Sequence, residues 1–388
     1  MFVIQVYGQS KKDPVFSVFL IGDAGYNVFP DSTLRMLKSE LLSKKYNGKS
    51  AVVFLGDNIY PAGLAPENGK KNGKVNHGLG ELVCKKEVNE TTSIVNRKKL
   101  MSQLSGLQNY SGFVYMIPGN HDWQKGQGHG QILINNERDA VNSFFRSGIL
   151  MQGGFFPTKA FGPEHVLLDS VGTSKIRLIF LDTQWYLQTH HRKTDYLDKN
   201  CWKRKDEMLD SCLNNLSQIL NSARLNKEYV IITAHHPVYT FGKHGKHAKI
   251  NGSLVAARMY NQHVGSKRYD KLSGAIDSVI NNHASNNLIY VAGHDHNLQY
   301  FKLKNYIQLV SGAGSKTTNS NPDKVYVPHR FYNISELESM SGSFNNSGFF
   351  RIDFLSGTEI EIHSWDEKSG ERQPHEFEFQ YSVKKHGK

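Results

Sequence analysis

Seven short apolar runs set the plan of this 388-residue chain, at 15–21, 51–55, 113–117, 176–181, 229–234, 288–292 and 307–310. They are rich in Val, Ile, Leu and Phe and show little alternation. A strand exposed on one face alternates apolar with polar residues, whereas a strand buried on both faces does not. The chain therefore needs a sheet covered on both sides. Stretches with apolar positions at helical spacing fall between the runs, at 31–45 (with an Asp31 or Ser32 cap), 135–150, 202–223 and 271–283. Strands alternating with helices predict an α/β fold with a mostly parallel or mixed sheet. Near the end, 348–355 and 359–365 read as a hairpin around Ser356-Gly357.

Composition excludes several classes. With 38% hydrophobic and 21% charged residues the chain has material for a core and is not broadly disordered. No apolar run is long enough for a transmembrane helix. Lys+Arg of 47 against Asp+Glu of 35 gives a net charge of +12, which favours anionic partners without choosing among them. Cys84, Cys201 and Cys212 are too few and scattered for a disulfide scaffold or a zinc finger, and their pairing stays open. Three polar segments read as loops: 61–97, whose second half has room for a helix, 239–270 and 311–346. Residues 1–13 are either the remnant of a signal peptide, with Val6-Tyr7-Gly8 resembling a cleavage site, or a frayed end. The Lys-rich close at Lys388 raises the expectation of a longer protein.

The chemistry lies in the residues that come directly after each run. Gly22-Asp23-Ala24-Gly25 comes after the first, Gly56-Asp57-Asn58-Ile59-Tyr60 after the second, and Pro118-Gly119-Asn120-His121-Asp122-Trp123 after the third. His235-His236-Pro237 succeeds 229–234, and Gly293-His294-Asp295-His296-Asn297 succeeds 288–292. Ligands bind α/β sheets at the carboxyl ends of strands. Asp, Asn, Tyr and His are metal donors, and a glycine ahead of them lets the backbone turn and approach an ion or phosphate. Each motif alone is weak: a lone Gly-Asp is mostly a turn and a lone buried His mostly a hydrogen-bonded core residue. Five in this order, each after a strand, point to a metal site.

This order resembles that of the calcineurin-like metallophosphoesterases, and within them the purple acid phosphatases, especially the small tartrate-resistant type. The resemblance runs over residues 15–365 and is closest in Leu55-Gly-Asp-Asn-Ile-Tyr-Pro-Ala-Gly63, Pro118-Gly-Asn-His-Asp122, Gly293-His-Asp-His-Asn-Leu-Gln-Tyr300 and Ser311-Gly-Ala-Gly314. It implies a four-layer α/β/β/α sandwich of two mixed sheets flanked by helices. One catalytic domain would span 14–366, followed by a polar tail at 367–388. Most members of the superfamily carry Asp-x-His in the first motif. Gly25 stands at that His position here, while Tyr60 offers a phenolate, as in the purple acid phosphatases. A hard phenolate beside carboxylates suits Fe(III).

Residue by residue, the resemblance implies two metal ions. The first, Fe(III), would take Asp23, Asp57, Tyr60 and His296. The second, Fe(II), Zn(II) or Mn(II), would take Asp57, Asn120, His235 and His294, with Asp57 bridging. His121 would face the substrate and its leaving group, with Asp122 orienting the imidazole. His244 would be a second substrate-facing histidine, and His236 a packing residue rather than a ligand. The implied activity is acid phosphatase. A hydroxide generated at the metal pair would attack the phosphorus of a monoester in line, and His121 and His244 would help bind it and protonate the leaving group. The expected substrate is a phosphorylated small molecule or phosphoprotein. The expected location is extracytoplasmic (secreted, periplasmic or surface-associated), as in a mostly exported family. A phosphodiesterase or nucleotidase of the same fold is one alternative, and a non-catalytic basic binding module another. No RNA-binding motif, helix-turn-helix pattern or polybasic cluster occurs, so no specific nucleic-acid partner is expected. The sequence sets no oligomeric state.

Overall fold

A computed structural model describes residues 13–65, 90–126, 130–150, 152–159, 161–171, 174–188, 201–245, 266–283, 287–320, 341–356, 360–367 and 375–377. Strands β1 (Phe16–Ile21), β2 (Ser50–Phe54), β3 (Phe113–Met116) and β4 (Gln152–Phe155) lie side by side in parallel. A second sheet comes next in the chain. Its strands are β5 (Glu164–Val171), β6 (Ser174–Phe180), β7 (Tyr229–Thr233), β8 (Leu288–Ala292), β9 (Leu298–Lys302), β10 (Ile307–Ser311) and β11 (Ser341–Phe344). Their order is β11-β9-β10-β8-β7-β6-β5, with β6, β7, β8 and β10 parallel. The chain then returns to the first sheet with β12 (Gly348–Phe354), β13 (Ile360–Asp366) and β14 (His375–Phe377), giving the order β14-β13-β12-β1-β2-β3-β4.

Helices α1 (Ser32–Leu41), α2 (Glu90–Leu104) and α3 (Gly130–Arg146) connect the strands of the first sheet. Helices α4 (Thr183–Leu187), α5 (Cys201–Leu225) and α6 (Lys267–Asn282) lie between strands of the second. Helix α1 packs on β12, α3 on β4, and α5 on both β7 and α6. The result is the expected four-layer sandwich, two mixed sheets flanked by helices. Its two cores explain the missing alternation. Val18, Leu20, Val53, Leu178, Ile231, Val291, Leu309 and Ile352 meet between the sheets. The intervening residues Phe19, Ile21, Val52, Phe54, Ile179, Ile232 and Val310 face the helices, with Leu34, Leu37, Leu100, Leu216 and Ile276. Each sheet thus needs apolar residues at odd and even positions alike.

Local chemistry fixes the helix starts. The Asp31 carboxylate accepts from the backbone N–H of Leu34 at 2.9 Å, and the Ser266 hydroxyl from that of Tyr269 at 3.2 Å. The second cap lies inside the segment expected to be loop, so α6 begins earlier than the apolar spacing alone indicates. Helix α2 begins in the second half of 61–97, where a helix had room, and runs on to Leu104. Residues 375–377 lie in the expected polar tail, yet they pair with β13 as an edge strand. Residues 1–12 and Cys84 lie outside the described residues; Cys212 is a free thiol. No helix among the described residues is long and apolar enough to cross a membrane.

The inter-sheet core gives a direct test. Leu309 is fully buried on β10, and Leu309→Ala should lower unfolding stability by about 2–5 kcal/mol. Chemical denaturation checks this, with the midpoint falling and the slope unchanged.

Candidate metal centre

Five loops leave the carboxyl ends of β1, β2, β3, β7 and β8 and meet at one edge of the sandwich. Backbone hydrogen bonds lash them together: Asp23 N–H to Gly56 C=O at 3.0 Å, Gly25 N–H to Asp57 C=O at 3.1 Å, and Gly293 N–H to His235 C=O at 3.0 Å. Asp23, Asp57 and His294 take φ values of 59°, 54° and 72°. Left-handed backbone costs a non-glycine residue about 1–3 kcal/mol and persists only where the surroundings enforce it. Gly25 is sterically required, because a Cβ there would lie 2.0 Å from the carbonyl of Asn58.

Two sets of donors face one another. In the first, the Tyr60 hydroxyl donates to Asp23 Oδ1 at 2.7 Å and lies 3.1 Å from His296 Nε2, which is 3.4 Å from Asp23 Oδ1. Asp57 belongs to the same group with Asp23 and His296. In the second, Asn120 Oδ1 is 2.9 Å from His235 Nε2 and 3.1 Å from His294 Nδ1. His235 Nε2 is 3.3 Å from His294 Nδ1 and 3.4 Å from Asp57 Oδ1. Metal–ligand bonds of about 2.0–2.2 Å put neighbouring tetrahedral donors roughly 3.3 Å apart. Both sets have that spacing, and Asp57 is common to them. His235 Nδ1–H donates to the Leu55 carbonyl at 2.8 Å, which leaves Nε2 as a lone-pair donor. All seven sequence-derived donors are therefore brought together, and their chemistry fits a pair of metal ions.

The electrostatics agree. Burial disfavours a charged His296, yet Asp23, with Asp57 and Asp295, raises its pKa above the ordinary histidine value. Burial, then Asp23 and Asp57, push the Tyr60 phenol well up. A carboxylate pair that raises the pKa of both neighbours marks a place that favours cations.

The residues flanking the donors hold the loops. Asp122 is fully buried and accepts from the backbone N–H groups of Gly119, Ile59 and Asn58 at 2.8, 2.9 and 3.2 Å. It binds the second motif to the third. The expected contact with the His121 imidazole is replaced by one to the Pro61 carbonyl, 2.7 Å from His121 Nδ1. The reason is that the Asp122 carboxylate is occupied by three backbone donors. His121 Nε2 is left 3.9 Å from Asp57, the ring lies tilted at 55° with its centroid 4.2 Å from that of Tyr60, and burial lowers its pKa to about 4. Asp295 acts like Asp122: it takes the Thr240 hydroxyl and the His244 N–H, the latter at 3.0 Å. That draws the His244 ring to 4.2 Å from His294. His236 is fixed by the Thr183 hydroxyl at 2.8 Å from Nδ1, and it forms a cluster of possible donors with His235 and His294.

Sequence reasoning missed two cations. Lys316 Nζ sits 3.9 Å over the Tyr60 ring and 4.1 Å over Tyr26. Lys125 comes after Gln124, both with left-handed φ (51° and 56°), and interacts electrostatically with Asp57 and His121. Lys316 lies two residues beyond Ser311-Gly-Ala-Gly314, so its place after a strand end was a usable signal. Lys125 carried none.

A family model for calcineurin-like phosphoesterases matches residues 16–298. The chain belongs to that family. No curated protein sequence matches it. Among solved structures, GAP50, the anchor in the inner membrane complex of Plasmodium, is similar, with a TM-score of 0.51 and 14% identity over 93% of this chain and 88% of that one. A dimetal phosphatase from Danio rerio gives 0.49 and 12% over 91% and 97%. A purple acid phosphatase from yellow lupin gives 0.46 and 15% over 93% and 52%. At such identities the likeness to GAP50 shows a shared fold and nothing of its role.

Behind the centre, Glu137 on α3 is fully buried and accepts from Asn58 Nδ2 at 3.0 Å; burial pushes its carboxyl up to about 8. Its folded pKa lies above the unfolded value, so its contribution to stability is full below the unfolded pKa of about 4.3 and is lost as pH rises toward 8. Glu137→Gln keeps the hydrogen bond and removes the titration. Its stability relative to the parent should rise between pH 5 and 8, by up to about 1.4 kcal/mol per pH unit. Urea unfolding across that range reads this; a flat difference would refute it.

Proposed function

We propose that this calcineurin-like phosphoesterase is an acid phosphatase of purple acid phosphatase type, hydrolysing phosphate monoesters at a dinuclear centre. One observation carries the reading: seven donors in two sets share Asp57, with Tyr60 where Gly25 excludes a histidine. Fe(III) would be held by Asp23, Asp57, Tyr60 and His296, and Fe(II), Zn(II) or Mn(II) by Asp57, Asn120, His235 and His294. Such a pair supplies Lewis acidity and a nucleophile from water near neutral pH.

The chain's own residues do the rest. The Pro61 carbonyl holds the Nδ1–H of His121, so Nε2 faces the site. Protonated there, it can hand its proton to a departing alkoxide. Its lowered pKa makes that form scarce at neutral pH and more abundant on the acid side, in keeping with an acid optimum. His244, steadied by Asp295, is a second substrate-facing group. Asp122 positions both the Asp57 and Asn120 loops. A non-catalytic anchor of the same fold would have no need to keep every donor, and the full set favours an enzyme. The proposed substrate is a phosphorylated small molecule or phosphoprotein in an extracytoplasmic setting.

Two experiments test this. Protein purified without chelator should contain iron and show a purple or pink charge-transfer band that vanishes in Tyr60→Phe; two divalent ions without colour would sink the Fe(III)–phenolate assignment. His121→Gln should cut kcat/KM for an alkyl phosphate about 10²–10⁴-fold and flatten the fall in rate on the alkaline side of its pH profile. The loss should be smaller for p-nitrophenyl phosphate, whose leaving group needs no proton. Equal losses on both substrates would count against His121 as the acid.

A further inference from the structure

Lys99, Lys125 and Lys316 come from three separate segments and converge on the His121 side of the metal centre. Lys99 Nζ donates to the Tyr60 carbonyl at 2.6 Å. Lys316 is held between the rings of Tyr60 and Tyr26, and Tyr26 is 50% exposed. Lys125 and Lys316 both act electrostatically on His121, and Lys316 feels both other lysines. Among the described residues neither Lys125 nor Lys316 has a carboxylate within ion-pair distance. The acids that reach them are Asp57 for both and Asp23 for Lys316, and these are candidate metal ligands. Cations on those carboxylates would take away that counter-charge and leave the lysines able to hold an anion from elsewhere.

The backbone adds a second, independent sign. Gln124 and Lys125 are consecutive non-glycine residues in the left-handed region, with Lys125 N–H on the Asn120 carbonyl at 2.7 Å. Such strain is characteristic of functional sites. The bond folds the backbone at Lys125 back onto the loop that carries Asn120 and His121.

From this we infer that Lys125 and Lys316, supported by Lys99, form an anion subsite for the leaving group, so that the preferred substrates carry a second phosphate on the part that departs. The inference rests on the phosphoester-hydrolase reading above. In such a reaction water adds to the attacked phosphorus and the P–O bond to the leaving group breaks. The leaving oxygen keeps the bonding pair and takes a proton from His121, while the lysines hold the second phosphate. Attraction of this kind is strongest where the walls exclude water, and Tyr26 and Tyr60 line one of them.

Calorimetry with Zn(II)-loaded protein would test this, using methylenediphosphonate and methylphosphonate as non-hydrolysable probes. The parent should bind the diphosphonate at least tenfold more tightly. Lys125→Met and Lys316→Met should each shrink that ratio about fivefold, and methylphosphonate affinity should change less. A preference that survives both substitutions comes from the metals alone and overturns the inference, as does equal binding of the two probes. If the lysine-dependent preference stands but no phosphoester is turned over, the subsite holds and the catalytic reading fails.

Discussion

Everything at this edge of the sandwich depends on holding two carboxylates, Asp23 and Asp57, together in a dry place. Like charges so close, with water excluded, repel unless protons or cations intervene. In the structure the Tyr60 hydroxyl and the His296 imidazole lie against them on one side, and the His235 imidazole on the other. The scaffold keeps the arrangement in being. Parallel strands from both sheets end at the same level, and inter-loop backbone bonds hold Asp23, Asp57 and His294 in conformations that free peptides avoid. The inter-sheet core gives the structure its stiffness, and the loops use that stiffness as a fixed frame.

Much of this was legible in the sequence because the constraints are local. A strand buried on both faces must be apolar throughout, and a donor at its end comes within two or three residues, so β1, β2, β3, β7 and β8 declared themselves together with their candidate donors. Strands β4 (Gln152–Phe155) and β5 (Glu164–Val171) did not, since Gly153-Gly154 and mixed polarity carry no strand pattern; pairing with β3 and β6 makes them strands. Helix α6 began earlier than expected because a single serine hydroxyl, not hydrophobic spacing, decides its first turn.

At the site the divide is similar. Donor identity was readable because metals demand particular atoms. The partner that orients a donor was not, because any carbonyl or carboxylate within reach will serve. Asp122 looked like a partner for its neighbour His121, yet its oxygens go to the backbone of 58, 59 and 119, and a proline carbonyl takes the imidazole instead. Asp295 plays the matching part between His294 and His296, anchoring the loop that delivers His244. In both motifs the acid that is no ligand fixes where neighbouring loops lie. Lys125 was invisible for another reason: nothing about a lysine in a loop says which way it points.

Gly25 has an evolutionary consequence. Any side chain at this position would occupy the path now taken by the backbone of Asn58 and Ile59, the path that delivers Tyr60. A histidine donor from the first loop and a tyrosine donor from the second therefore exclude one another in this geometry. No single substitution converts one ligand set into the other, since the intermediate would have either a collision or a missing donor. A lineage with this backbone keeps the Tyr60 phenol beside Asp23, and drift at position 25 is closed to it even though glycine offers no donor atom.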